Sequence, residues 1–264
     1  IGLVILVPML VMSAFAPWIT PHDPLETDAA NRFEGPTAEH PFGTDNVGRD
    51  VLSRVMMGGR STLLLGLGSI SLALVLGVPV GLSAGYIGGK TDEVLMRFMD
   101  ILMSIPSLLL ALVIVSMLSA NIQNTIAAIG VVYAPRIARV VRGSTLSLKN
   151  EAFIQAAEAR GESNVYIMYN EILPNIVSPI VVEASIRIGF AIIIGTSLSF
   201  LGLGAQPPQA DWGYMIAQSR DFVYNTVWFM LFPSFFLALT VLGFNLLGDG
   251  LRDTLDPKIT GDEL

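Results

Sequence analysis

Six apolar runs, each about as long as a helix needs to cross a bilayer, constrain this chain more than any other feature. They lie at about 1–19, 62–87, 99–119, 122–142, 176–203 and 226–248. A hydrocarbon core about 30 Å thick takes roughly 20 residues of helix. Lipid offers no hydrogen-bond partner to an open backbone, so each run must be helical rather than a lone strand. The expected fold is therefore all-α: one polytopic membrane domain over residues 1–264 with six transmembrane helices. The low share of charged residues, 14%, agrees with this, because soluble domains carry about 25%. The chain opens inside an apolar run and without Met, so a preceding segment, a short cytoplasmic tail, is expected.

The connectors differ in kind. Segment 20–61 is long and polar, with Pro21, Pro24, Pro36 and Pro41, and segment 204–225 contains "GAQPPQADWG". With the N-terminus in the cytoplasm, nine Lys and Arg fall inside and five outside. The positive-inside rule then places both termini in the cytoplasm, segment 143–175 with them, and loops 20–61 and 204–225 outside. Cysteine is absent, so neither a disulfide frame nor a thiolate metal site is available. With only His22 and His40, no histidine-rich metal centre is expected. A net charge of −7 argues against a nucleic-acid partner. In the second run Ser69, Ala73, Gly77, Gly81, Gly85 and Gly89 recur every four residues. Such a stripe admits close backbone approach, within this subunit or against a second one. Pro79, Pro106, Pro135, Pro179 and Pro233 are each expected to interrupt a run.

The segment "EAFIQAAEARGESNVYIMYNEILPN", Glu151 to Asn175, is a polar island between two apolar runs. A helix is expected from about Thr145 to Arg160, stopped by Gly161. Ser163 or Asn164 can cap a second helix, which Pro174 would end. Val165, Ile167, Met168 and Ile172 are placed to anchor that helix on the bundle, so that the elbow projects. An amphipathic helix lying on lipid is the alternative, but Glu151, Glu158, Glu162 and Glu171 would be repelled by anionic headgroups. A rigid charged elbow fits docking to a protein.

"QAAEARG", nine residues, then the end of "EILP" resembles the E-A-A-x3-G-x9-I-x-L-P signature of ATP-binding-cassette importer permeases. Ala156, Ala157, Gly161, Leu173 and Pro174 match; Gln155 stands where that family has Glu, and Glu171 where it often has Ile. "HPFGTDNVGRDVLSRVMMGGR", "MDILMSIPSLLLAL", "SLSFLGLGAQPPQADWGYM" and "NLLGDGLRDTLDPK" extend the resemblance over nearly the whole chain, to the C-type subunit of dipeptide and oligopeptide permeases. The resemblance implies a type I importer permease with a cytoplasmic coupling helix seated in a cleft of the ATPase. The coupling residues would be Gln155, Ala156, Ala157, Glu158, Arg160, Gly161, Glu162, Ser163 and Asn164. It also implies a second homologous permease subunit, two cytoplasmic ATPase subunits or domains that bind ATP and Mg, and an extracytoplasmic solute-binding protein. The setting would be the bacterial inner membrane. In this reading Gln155 cannot make the charge pair with an ATPase arginine, and Glu151 or Glu158 would have to substitute.

Some motifs point elsewhere. "AGYIGGKT", Ala84 to Thr91, comes within one residue of a phosphate-binding loop. That mechanism needs a strand before the loop, and here a membrane run precedes it. No cofactor and no hydrolytic activity are therefore expected in this chain, and no catalytic triad is credible. Glu183 and Arg187 lie four apart inside the fifth run, either lining a path or neutralising each other. The candidate path residues are Met103, Ser104, Pro106, Glu183 and Arg187. The expected function is a permease subunit forming half of the path for di- and oligopeptides. Glutathione, nickel chelates and opines are alternative solutes, and a passive channel or secondary transporter is an alternative class.

Overall fold

The computed structural model describes residues 1–255. The described chain is helical, with an isolated bridge between Thr44 and Asp50 and no strand. Helix α1 is Gly2–Ile19, α2 Val51–Ile87, α3 Gly89–Ser104, α4 Ser107–Leu118 and α5 Ile122–Leu148. Then come the short α6 (Ala152–Ala159), α7 (Asn164–Tyr166), a π turn over Ile167–Ile172 and α8 (Leu173–Asn175). Helix α9 is Val177–Phe200, α10 Trp212–Ser219 and α11 Trp228–Leu255.

Four helices, α1, α2, α9 and α11, are long and apolar enough to cross a membrane. The third run is broken at Pro106, the one proline of the five expected to interrupt a run that separates two helices here. Helices α3 and α4 form a pair bent by 93°. Pro106 has no N–H to extend α3 and favours extended backbone before it, and Ile105 is extended. Helix α5 carries Arg136, Arg139 and Arg142 and falls short of the other four in hydropathy. Its 27 residues still reach about 40 Å at 1.5 Å per residue. Helix α2 starts at Val51, well before the apolar run, because Asp50 caps it by accepting from the Ser53 N–H at 2.7 Å.

The small-residue stripe is spent inside the chain. Helices α2 and α5 run side by side in the same direction. A Cβ on Gly77 would stand 2.6 Å from the Ala134 carbonyl oxygen, and one on Gly81 2.5 Å from that of Ala138. One on Gly85 would meet the Thr145 side chain at 2.7 Å. Lipid tails are as apolar as leucine, so this close packing, not water exclusion, holds the pair together. Gly89 lies beyond the stripe with nothing near it. Of the prolines expected to interrupt runs, Pro79, Pro135 and Pro233 sit inside continuous helices and Pro179 in the first turn of α9. One lost hydrogen bond bends a helix packed along its length without ending it.

At the end of the bundle where α2 begins, the two long connectors fold together. Trp212 is fully buried and its indole N–H donates to the Val55 carbonyl at 2.8 Å. Gly58 leaves room for that ring: a Cβ there would stand 3.0 Å from Trp212 Cδ1. Asp211 caps α10 and accepts from the Thr62 hydroxyl at 3.2 Å. Burial pushes the Asp211 carboxyl above its ordinary pKa. Asp45, also buried, receives the N–H groups of Val47 and Arg49 and pairs with the Arg49 side chain at 2.6 Å.

Candidate coupling site

The opposite end of the bundle carries the elbow. The helix expected from Thr145 to Arg160 is two: α5 stops at Leu148, a turn follows through Asn150, and α6 begins at Ala152. The break rotates α6 so that Ile154 and Ala157 are fully buried among Tyr86, Ile167, Met168 and Ile172. Ala156 and Phe153, on the other side of α6, are exposed.

Helix α6 ends in a doubly bonded turn. The Gly161 N–H donates to Glu158 O at 2.9 Å and the Glu162 N–H to Ala157 O at 3.2 Å, which is the pattern of a helix closed by a left-handed residue. Gly161 supplies that conformation, with φ +78° and no atom within 4 Å of where a Cβ would be. Of the two candidate caps, Ser163 acts, accepting from the Tyr166 N–H at 3.3 Å. Pro174 does not end the second helix. The π turn over Ile167–Ile172 absorbs its missing N–H, and the chain stays helical to Asn175. Ile167, Met168 and Ile172 anchor as expected, whereas Val165 is 62% exposed.

The elbow's charges are ordered. Arg160 donates to Glu171 at 3.1 Å and lies 3.7 Å from Glu162, tying α6 to the π turn. Tyr86, on the last turn of α2, donates its hydroxyl to Glu158 at 2.9 Å. Glu158 is thus engaged by the bundle, while Glu151 faces solvent at the start of α6. Gln155 is exposed and donates to the Asn150 carbonyl at 3.1 Å. Ala156, Gly161, Ser163 and Asn164 are exposed around the same turn. Residue spacing missed an apolar patch beside them: Phe153, Val165, Tyr166 and Tyr169 are 38–62% exposed.

The candidate path residues fall into two groups. Met103, Ser104 and Pro106 stand at the break between α3 and α4. Arg187 pairs with Glu183 at 2.6 Å within α9. Among the described residues no hydrogen bond or ion pair joins the groups. Three arginines that were counted only for orientation bind the bent pair to α5. Arg142 is bidentate to Asp92, each bond 2.5 Å, Arg139 donates to Asp100 at 2.5 Å, and Arg136 to the Ser107 hydroxyl at 3.1 Å. They sit three residues apart, one stripe on α5. Arg139 and Arg142 border a charged cleft of about 590 Å³ with Glu93, Met96 and Arg97.

Residues 77–261, which include this elbow, match the family model described as binding-protein-dependent transport system inner membrane component. The chain belongs to that family. Residues 1–36 match the N-terminal transmembrane domain of oligopeptide transport permease C. Over 98% of its length the chain is 45% identical to the dipeptide transport system permease protein DppC of Alkalihalophilus pseudofirmus, covering 85% of that protein. It is 42% identical over 98% of its length to the probable D,D-dipeptide transport system permease protein DdpC of Escherichia coli K12, covering 87% of it. The glutathione transport system permease protein GsiD of Pectobacterium atrosepticum is 42% identical, with 98% of this chain and 86% of that protein covered. Among solved structures, an inward-facing crystal form of the MetNI methionine ABC transporter aligns with TM-score 0.63 at 22% identity, over 75% of this chain and 95% of that one. The fold is that of a type I ABC importer permease. A permease of this family is a multi-pass inner-membrane protein and not an enzyme; it binds no cofactor itself and works with an ATPase and a binding protein.

Proposed function

We propose that this chain forms half of the translocation path of an ATP-driven importer of di- and oligopeptides, paired with a second homologous permease subunit. Two ATPase subunits or domains bind ATP and Mg on the cytoplasmic side. A solute-binding protein delivers peptide on the other side, and both termini are cytoplasmic. Gln155, Ala156, Ala157, Glu158, Arg160, Gly161, Glu162, Ser163 and Asn164 form the coupling elbow.

The observation that carries this reading is the elbow's two-sided construction. Ile154 and Ala157 lock α6 into the bundle core, while Gln155, Ala156, Gly161 and the patch of Phe153, Val165, Tyr166 and Tyr169 face outward. A segment rigid on one side and apolar on the exposed side is built to transmit displacement from a docked partner. Closure of the ATPase pair would push the elbow, and the Tyr86–Glu158 bond and buried Ile154 would carry that push to α2 and α5. Such switching requires contacts that differ between the inward- and outward-facing states. The arginine stripe holding α3 and α4 against α5 supplies polar contacts that an inward-to-outward change can exchange. Met103, Ser104, Pro106, Glu183 and Arg187 are the candidate path residues.

The relatives named for dipeptides favour peptide as solute, and the one named for glutathione favours a second reading of the same kind, a γ-linked tripeptide. Proteoliposomes holding the assembled complex and loaded with ATP decide between them. ATP-dependent accumulation of labelled dipeptide, not displaced by glutathione, is the expected result. Uptake without the ATPase would overturn the importer reading. The chain contains no cysteine, so a single Gln155→Cys probe is clean. It is expected to crosslink to the ATPase, and labelling of that site from outside the cell would overturn the assigned orientation.

A further inference from the structure

The connector between α1 and α2 holds a cluster that solute transport does not call on. His22, Glu39 and His40 each bring one ligand atom to within 4.8 Å of the others. The two imidazole rings lie 4.8 Å apart, inclined by 37°. They border a cavity of about 140 Å³ shared with Glu26 and Asp28, so its field is negative.

The histidines are held from behind. Asp50 is buried, and its Oδ2 accepts from the backbone N–H and the hydroxyl of Ser53, both at 2.7 Å, at the start of α2. Its Oδ1 lies 3.0 Å from His40 Nδ1. An imidazole that gives its Nδ1 proton to a carboxylate presents the Nε2 lone pair outward, the arrangement in which proteins hold metal-ligating histidines. His22 Nδ1 is buried without a hydrogen-bond partner, 3.9 Å from Asp50 Oδ2. The backbones are pinned as well. The His22 N–H donates to Ser53 Oγ at 3.2 Å, and the His40 N–H to Thr37 Oγ1 at 2.9 Å. Both ligand positions therefore refer to one rigid element, the first turn of α2.

We propose that His22, Glu39 and His40 form a binding site for a divalent transition-metal ion of the Zn²⁺ class, with Asp50 as the outer carboxylate. Two imidazoles and one carboxylate suit Zn²⁺ and its neighbours and leave a fourth position for water. Calcium and magnesium prefer all-oxygen sets. Bond lengths of about 2.0–2.1 Å to Zn²⁺ place tetrahedral donors roughly 3.3 Å apart, so the three donors, now within 4.8 Å of one another, would draw in on binding, and Glu39 is exposed and free to turn. The ion would clip His22, three residues after α1, to His40 in the turn closed between Thr37 and His40, stiffening the connector across its width. The inference rests on these residues alone and not on the solute or on the side of the membrane.

His22 and His40 are the two histidines of the sequence and cysteine is absent, so any imidazole–metal signal reports this site in a protein purified without a histidine tag. The full chain in lipid nanodiscs, stripped with chelator, is titrated with Co²⁺ and then Zn²⁺. One equivalent of Co²⁺ with visible ligand-field absorption, displaced by Zn²⁺, is expected. His22→Ala and Glu39→Gln should each weaken Co²⁺ binding at least about tenfold, and Asp50→Asn by about ten- to a hundredfold. Glu39 is exposed, so Glu39→Gln should melt with the metal-free wild type and remains decisive if His22→Ala does not fold. Absence of a saturable equivalent in the wild type, or Glu39→Gln binding Co²⁺ as the wild type does, would overturn the proposal.

Discussion

The hydroxyl of Tyr86 donates to Glu158 at 2.9 Å, so the last turn of α2 is bonded to a helix that begins 65 residues later in the chain. The same ring faces the Lys149 ammonium at 5.8 Å. One aromatic side chain thus gathers the end of α2, the end of α5 and the elbow. Under the proposed coupling, a push on α6 would reach both long helices through it.

Tyr86→Phe removes the hydroxyl and keeps the ring. A hydrogen bond to a charged group contributes about 1.5–3 kcal/mol at most, and exposure of Glu158 lowers this toward about 1 kcal/mol. The variant should insert and assemble normally. Stimulation of ATP hydrolysis by loaded binding protein should fall several-fold, and Glu158→Gln, which still accepts the bond, should fall less. Equal stimulation in wild type and Tyr86→Phe would remove this contact from the coupling route.

Gly161→Val tests the elbow's turn. At φ +78° a side chain meets no neighbour, so the cost is conformational, about 1–2 kcal/mol and more for a β-branched residue. The bundle should remain folded, with little change in melting temperature in detergent. ATP-dependent uptake should be lost, or the ATPase should fail to co-purify. Normal uptake together with normal co-purification would refute the need for a left-handed elbow.

Gly81→Leu should have the reverse signature. Its Cβ would stand 2.5 Å from the Ala138 carbonyl oxygen and 2.6 Å from Val141 Cβ, both on a helix that cannot retreat. Overpacking costs about 1–3 kcal/mol and often more. Gel filtration of the detergent extract should show aggregated or degraded protein. Gly89→Leu, outside the stripe, should lack this packing defect, although its own φ of +56° carries a backbone cost.

Asp211 gives a pH dependence whose sign follows from burial. Its folded pKa lies above the ordinary 3.8 because desolvation outweighs its hydrogen bonds. A group with a raised folded pKa contributes stability that is complete below the unfolded value and is lost as pH rises through the folded one. Asp211→Asn keeps the cap on α10 and the bond to Thr62 without ionising. The two proteins should melt together in acid, and the variant should melt higher as pH rises past the folded value. A melting difference that does not vary with pH would contradict a raised pKa.

The six apolar runs, the polar island and the turn at Gly161 were legible because each is a local signal. Run length answers to bilayer thickness, and glycine at a helix end answers to backbone sterics. The site was legible in part. Ile167, Met168 and Ile172 could be assigned to the anchor by spacing, but Ile154 could not, because the break at Asn150 rotates α6 away from the phase of α5. Arg136, Arg139 and Arg142 entered as charges for orientation. Their acidic and hydroxyl partners lie on α3 and α4, 29 to 50 residues away.

By itself the sequence determined the class of the molecule: an all-helical chain in lipid with a charged elbow, since hydrocarbon leaves the backbone no other way to satisfy its hydrogen bonds. Tertiary structure alone decided which faces meet. The glycine stripe of α2 could have served a second subunit as well as α5, and close packing gives no sign of its partner until the backbones are in place. His22 and His40, eighteen positions apart among prolines, carry no spacing that announces a site. They come together because Asp50 and Ser53 on the first turn of α2 hold one from each side.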